Sequence, residues 1–153
     1  MKAINISETV CRELFRRAAV DAASVGKLTK SRLGFLLCSF LDGREEDTAC
    51  AVFFSGRMKF LGISLTDISY AHLCDVIDTL AAGYGAKYFV IAHTHAGNPV
   101  VPSNEDLTTT EILKKRYSDG SLKFLDHYIV SDYDYMSILS RDRRDYRTRK
   151  DRI

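Results

Sequence analysis

Apolar and polar positions along the chain change period several times, and each change marks an element. Val10, Leu14, Ala18, Ala22 and Val25 recur at helical spacing, so a helix is predicted over Ser7–Ser24. Asn5 or Ser7 can cap it, Glu8 follows Asn5 by three as in a capping box, and Gly26 can end it. Leu33–Leu41 is a continuous apolar run closed by Asp42-Gly43, which predicts a strand and a turn. Ala49–Ser55 predicts a second strand and Met58–Ser64 a third. Ile68, Leu73, Val76, Ile77, Leu80 and Tyr84 form a broad apolar face on a helix starting near Thr66-Asp67 and ended by Gly83 and Gly85. Lys87–Ala92 reads as a short buried strand, followed by a loop over His93–Pro102. A third helix is expected after Ser103 to about Tyr117, where Ser118-Asp119-Gly120 breaks it. Phe124–Val130 and Met136–Leu139 are the last strands, joined by a turn at Asp132–Asp134. This order predicts an α/β fold with a mixed sheet, covered by helices on both faces.

Length and composition narrow the class. At 153 residues, 46% hydrophobic and 27% charged, the chain fits one globular domain. It is too short for an eightfold α/β barrel, which takes about 250 residues. The longest apolar run, Leu33–Leu41, is too short to cross about 30 Å of hydrocarbon as a helix. The first residues, MKAINISETVCRELF, turn polar too early for a secretory signal, so a cytoplasmic location without membrane contact is expected. Cys11, Cys38, Cys50 and Cys74 form no C-x-x-C pair and read as buried small hydrophobes. The net charge of +2 hides an asymmetry. Residues 141–153 hold seven Lys/Arg against three Asp, which leaves the first 140 residues at −2. With little to bury, this basic segment is expected to be a solvated tail, and it is a candidate nucleic-acid contact. The organisation expected is an N-terminal helical segment (1–26) packed on a domain (27–140), then the tail (141–153).

The segment from His93 to Asp106 carries the chemistry. His93 and His95 lie just past a buried strand, where sites form in open α/β sheets. In extended backbone, residues i and i+2 point the same way, so both imidazoles can face one ion. Asp106 sits in the first turn of the next helix, sharing a face with Ser103 three residues earlier. Two imidazoles, one carboxylate and an open position suit a catalytic Zn²⁺, though Mn²⁺ or Fe²⁺ also match the ligand types. Such an ion lowers the pKa of a water to about 7 and polarises a carbonyl. Ser103 is the candidate catalytic hydroxyl for a developing oxyanion, and equally a preferred helix N-cap. His127 lies in a strand, where it either bonds a metal ligand or is satisfied in the core. His72 reads as a structural residue within its helix. Tyr128, Tyr133, Tyr135 and Tyr146 are too ordinary in number to imply base stacking.

H-x-H, seven residues, then S-x-x-D resembles the JAMM signature of JAB/MPN metalloproteins, and most closely the RadC-like JAB branch. Phe54-Ser55-Gly56, Leu125-Asp126-His127-Tyr128-Ile129-Val130 and Tyr135-Met136-Ser137 are similar to that branch's F-S-G, L-D-H-x-I-V and Y-x-S. The resemblance runs from about Leu33 to Ser140. It implies a three-layer α-β-α fold of the cytidine-deaminase type, and one Zn²⁺ on His93, His95 and Asp106 with Ser103 supporting the water. It further implies a peptidase or isopeptidase, in a branch that carries a DNA-repair name. Ala96-Gly97-Asn98 departs from the usual P-S-G after the second His. The family also places a catalytic Glu near the start of the first sheet strand. Read there, Ser31-Arg32-Leu33-Gly34-Phe35 holds no acid, and Glu45 and Glu46 fall at a hairpin as turn residues.

Two functions follow. One is a zinc-dependent hydrolase of amide or isopeptide bonds. The other is a degenerate domain that binds a partner or nucleic acid without turnover. A zinc nucleobase deaminase shares the fold but needs H-x-E and P-C-x-x-C, which this chain lacks.

Overall fold

The computed structural model describes residues 30–41, 48–66, 72–95, 100–131, 134–139 and 142–145. Helix α1 is Lys30–Leu41, followed by strands β1 (Ala49–Phe54) and β2 (Phe60–Thr66) and helix α2 (Leu73–Tyr84). Strand β3 (Tyr88–Thr94) leads through the loop to helix α3 (Asn104–Arg116). Strands β4 (Lys123–Ser131), β5 (Asp134–Ser137) and β6 (Asp142–Asp145) complete the chain order. Among the described residues the strands form one sheet in the order β2-β1-β3-β4-β5-β6. Only β3 and β4 run parallel, and α3 is their crossover.

Strand parity sorts the core into two layers. Cys50, Val52 and Phe54 of β1, Val90 and Ala92 of β3, and Tyr128 and Val130 of β4 face α1, where Leu33, Leu37, Phe40 and Leu41 meet them. Ala51, Phe53, Phe89 and Ile91 point the other way, against Leu73, Ile77 and Ala81 of α2 and Leu113 of α3. Strands covered on both faces need continuous apolar runs, and β1 is buried at all six positions. The result is a three-layer α-β-α fold of mixed sheet. No described helix is long and apolar enough to cross a membrane.

Leu33–Leu41 is helix, not strand. A short apolar run is compatible with either, and here two details decide. Leu33, Leu36, Leu37, Phe40 and Leu41 follow the i, i+3, i+4 pattern of one helix face, and the run contains no β-branched residue. Gly34 lets α1 approach the sheet, because a Cβ there would overlap the Tyr135 ring. The sheet therefore starts at Ala49, and residues 42–47 lie between a helix and a strand. Thr66 ends β2 rather than opening a helix, so the exposed His72 precedes α2 instead of sitting inside it.

Asp142–Asp145, expected to be solvated tail, pairs with β5 from Asp134↔Asp145 to Ser137↔Asp142. Pairing of the main chain does not require apolar side chains, and charged residues are usual on an edge strand. Residues 146–153 and the helix expected over Ser7–Ser24 lie outside the described residues. Tyr128 and Tyr135 are fully buried, which removes them from any base-stacking role, and Tyr133 and Tyr146 are outside the described residues. Cys38 and Cys50 are buried and Cys74 is half-buried, while Cys11 lies outside the described residues.

Candidate metal centre

His93 and His95 leave the carboxyl end of β3 on the α2/α3 side of the sheet, with the parity of Phe89 and Ile91. Two backbone contacts hold this end in place. His95 N–H donates to Val130 O at 2.9 Å and Thr94 N–H to Thr48 O at 3.0 Å. The third member comes from α3. Ser103 caps that helix: its Oγ accepts from Asp106 N–H at 3.1 Å, and its own N–H donates to Asp106 Oδ2 at 2.7 Å. This reciprocal capping box orients the Asp106 carboxylate toward the histidines. The cap uses the Ser103 oxygen as an acceptor, and the one hydroxyl proton goes to the Asp106 carboxylate or, in its place, to a substrate oxygen.

His93 Nε2 lies 2.9 Å from His95 Nε2 and 3.0 Å from Asp106 Oδ1, and His95 Nε2 lies 3.2 Å from Asp106 Oδ2. One donor atom from each residue falls within 4.8 Å of the others. A tetrahedral ion with bonds of about 2.0–2.1 Å separates its ligands by roughly 3.3 Å, close to these spacings. Three lone-pair atoms this close repel unless a proton or a cation lies between them, so the donor set fits a metal ion. His93 and Asp106 are buried and His95 is half-buried, which leaves one side of the cluster open. Burial alone would raise the Asp106 pKa. The hydrogen bond and charge of His93, then the Ser103 N–H and hydroxyl, outweigh it and hold the carboxyl well below the usual carboxylate range.

Behind His93 the polar contacts continue. His93 Nδ1 is 2.8 Å from His127 Nε2, and His127 Nδ1 is 2.9 Å from Thr110 Oγ1. Thr110 Oγ1–H donates to Asp106 O at 2.9 Å. Of the two readings open for His127, the structure has it bonded to a candidate ligand. Burial first, then the His93 and His95 rings, push its pKa from 6.5 down to about 3, against the pull of the Asp106 carboxylate. It is a neutral imidazole at pH 7. Asp126, adjacent in sequence, has a different task. It accepts from His127 N–H at 2.8 Å, Leu139 N–H at 3.0 Å and the Ser137 hydroxyl, tying the β5 turn to β4.

Sequence reasoning missed Thr110. A signal existed: Thr108, Thr109 and Thr110 are three β-branched residues inside one helix, where they are weak formers. Thr110 also lies four residues after Asp106, hence on the same face.

A family model, the RadC-like JAB domain, matches residues 18–144. The chain belongs to that family. A "UPF0758 protein" of Aquifex aeolicus is 42% identical to this RadC-like domain over 133 residues, covering 79% of this chain and 57% of the relative. Relatives of the same name in Pseudomonas savastanoi and Lactococcus lactis are 27% identical over 104 residues and 28% over 102, covering 68% and 67% of this chain and 42% and 41% of theirs. The RadC-like chain thus spans about half the length of the curated relatives it matches.

The start of the sheet bears on the family's Glu. The first strand is β1, not Leu33–Leu41, so the residues leading into it are Arg44-Glu45-Glu46-Asp47 rather than Ser31–Phe35. Thr48, next in sequence, reaches the metal end of the sheet. Its N–H donates to Thr94 Oγ1 at 3.1 Å, and Ala49 pairs with His93. The acids themselves lie outside the described residues. Ser31–Phe35, where the family's acid is expected at a strand start, lie in α1 instead.

Proposed function

We propose that this protein is a zinc-dependent hydrolase of amide or isopeptide bonds. The observation that carries the reading is the cluster of His93 Nε2, His95 Nε2 and an Asp106 oxygen at the open end of β3. Membership of the RadC-like JAB family supports it. Zn²⁺ is the ion of choice because two imidazoles and one carboxylate with an open side are its catalytic ligand set. An ion held there supplies Lewis acidity, lowering the pKa of a water and polarising the scissile carbonyl. Ser103 donates a hydrogen bond from its hydroxyl to the oxyanion that develops on that carbonyl. Asp106, fixed by the capping box, stays anionic and keeps the ligand charge constant. Glu45 or Glu46, ahead of β1, takes the proton from the attacking water and returns it to the leaving amine.

The alternative is a degenerate domain that binds a partner or nucleic acid without turnover. What remains behind a nucleic-acid role is the charge of residues 141–153.

Elemental analysis of the purified chain, beside His93→Ala/His95→Ala, tests the centre first. About one zinc per wild-type chain and none in the variant is expected. Glu45→Gln and Glu46→Gln are then compared on a panel of peptide and isopeptide substrates. One of the two should lose about 10²–10⁴-fold in turnover while keeping its zinc. A wild type that takes up no zinc when supplied ends the proposal.

A further inference from the structure

The contacts behind His93 have a direction, and a backbone carbonyl sets it. A carbonyl oxygen only accepts, so the single proton of the Thr110 hydroxyl is committed to Asp106 O. Thr110 Oγ1 must then accept from His127, which places the His127 proton on Nδ1. A His93 that ligates through Nε2 carries its one hydrogen on Nδ1, so the atom it meets, His127 Nε2, accepts. His93 then has its lone pair on Nε2, the atom that faces His95 and Asp106. The path starts at the main chain of one candidate ligand and ends at the ring of another.

We propose that His127 and Thr110 are positioning residues that fix the tautomer and orientation of His93, so that only its Nε2 can ligate the ion. The inference rests on the metal reading of the site; the Thr110–His127 half of the path stands without an ion. A histidine side chain in water favours the Nε2–H form, so an Nδ1–H His127 is a specific outcome and not the default. The relay also couples the elements. β3 supplies His93, β4 supplies His127, and α3 supplies both Thr110 and Asp106. A rotation of α3 that displaced Asp106 would displace the group orienting His93 as well. Such hydrogen bonds behind a ligand typically hold 10–100-fold of metal affinity.

Two measurements test this on the full chain. The first is a long-range ¹H–¹⁵N correlation spectrum of the metal-free wild type at pH 7, which reads the His127 tautomer. Nδ1–H with bare Nε2 is expected, and Nε2–H or a doubly protonated ring overturns the relay. The second is Zn²⁺ affinity by competition with a chromophoric chelator. The terminal amide of Gln overlays the His Nε2 position, whereas that of Asn overlays Nδ1. His127→Gln should therefore still accept from His93 and bind Zn²⁺ within a few-fold of wild type. His127→Asn should lose 10–100-fold at similar folded content by circular dichroism. Thr110→Val should weaken binding and Thr110→Ser restore it. Equal affinities for the Gln and Asn variants overturn the positioning role and leave His127 as packing. A wild type that binds no Zn²⁺ overturns both the role and the metal reading. A wrong tautomer in a zinc-binding wild type overturns the relay alone.

Discussion

Ser103 combines two demands that variants can separate. As the cap of α3 it accepts from Asp106 N–H, and its own N–H holds Asp106 Oδ2. Removing the cap costs about 1 kcal/mol of stability, and removing a donor to an oxyanion costs about 10²–10³-fold in turnover. Ser103→Ala should show both losses. Ser103→Asp keeps a capping oxygen but has no hydroxyl proton at pH 7, so stability should be near wild type with turnover still lost. Thermal melts beside steady-state rates check this, and an active Ser103→Asp would leave the hydroxyl as a cap alone. His127 sets a second prediction at this scale. Its folded pKa of about 3 lies below the 6.5 of the unfolded chain, so between those values only the unfolded chain carries the proton. Stability should therefore rise with pH across that window, with a slope of up to about 1.4 kcal/mol per pH unit from this one group. The depressed Asp106 acts in the same direction, from about pH 3.8 downward. Urea unfolding of metal-free protein between pH 4 and 7 should show a slope about one proton smaller for His127→Gln than for wild type. Equal slopes would mean that residue 127 gains its proton in the folded state as readily as in the unfolded one.

At the scale of elements, α1 shows where local pattern and tertiary context conflict. Ala is a better helix former than Gly by about 1 kcal/mol, so helix propensity alone favours Gly34→Ala. The Tyr135 ring occupies the space that a Cβ would need, and that ring is fully buried against α1 with Phe35 edge-on at 5.3 Å. Overpacking of this kind costs about 1–3 kcal/mol, so net destabilisation is expected. Urea unfolding checks the sign, and a stabilised Gly34→Ala would show that α1 is free to move off the sheet. The same helix explains what the sequence could not show. Where elements had a decisive local signal they were legible: α3 by the Ser103 cap and the Ser118-Asp119-Gly120 break, and β3 and β4 by short runs bounded by Gly and polar residues. Leu33–Leu41 had a weaker one: a nine-residue apolar run suits either element, and only the i, i+3, i+4 spacing and the lack of β-branched residues mark it as helix. That one ambiguity moves the expected start of the sheet from Ala49 back to Leu33. The ligand set was legible because H-x-H and S-x-x-D are local spacings. The relay was not, because His127 meets His93 through the parallel pairing of β3 with β4, across 34 residues of sequence, and Thr110 meets His127 from α3.

For the whole molecule, the centre joins parts that fold far apart in sequence, so an ion bound there should report on global stability. β3 gives two ligands, α3 the third, and the relay brings in β4 at the middle of the sheet. A ligand that binds only the folded state stabilises it by about 2.7 kcal/mol at a hundredfold excess over its dissociation constant. For a domain of this length that is a rise of roughly 5–10 °C in Tm. Cys11, Cys38, Cys50, Cys74 and the four histidines would also bind zinc in the unfolded chain, which reduces the shift. His93→Ala/His95→Ala keeps every cysteine and so carries that opposing effect by itself. Zinc should therefore raise the Tm of the wild type, leave the double variant unchanged or slightly lowered, and lose its effect on both with a chelator. His127→Asn should need about 10–100 times more zinc to reach the wild-type shift, since its defect lies in affinity and not in the bound structure. An equal rise in the wild type and the double variant would place the ion on the cysteines or on His72 and His127, and the centre at the end of β3 would then be a polar cluster without a cation.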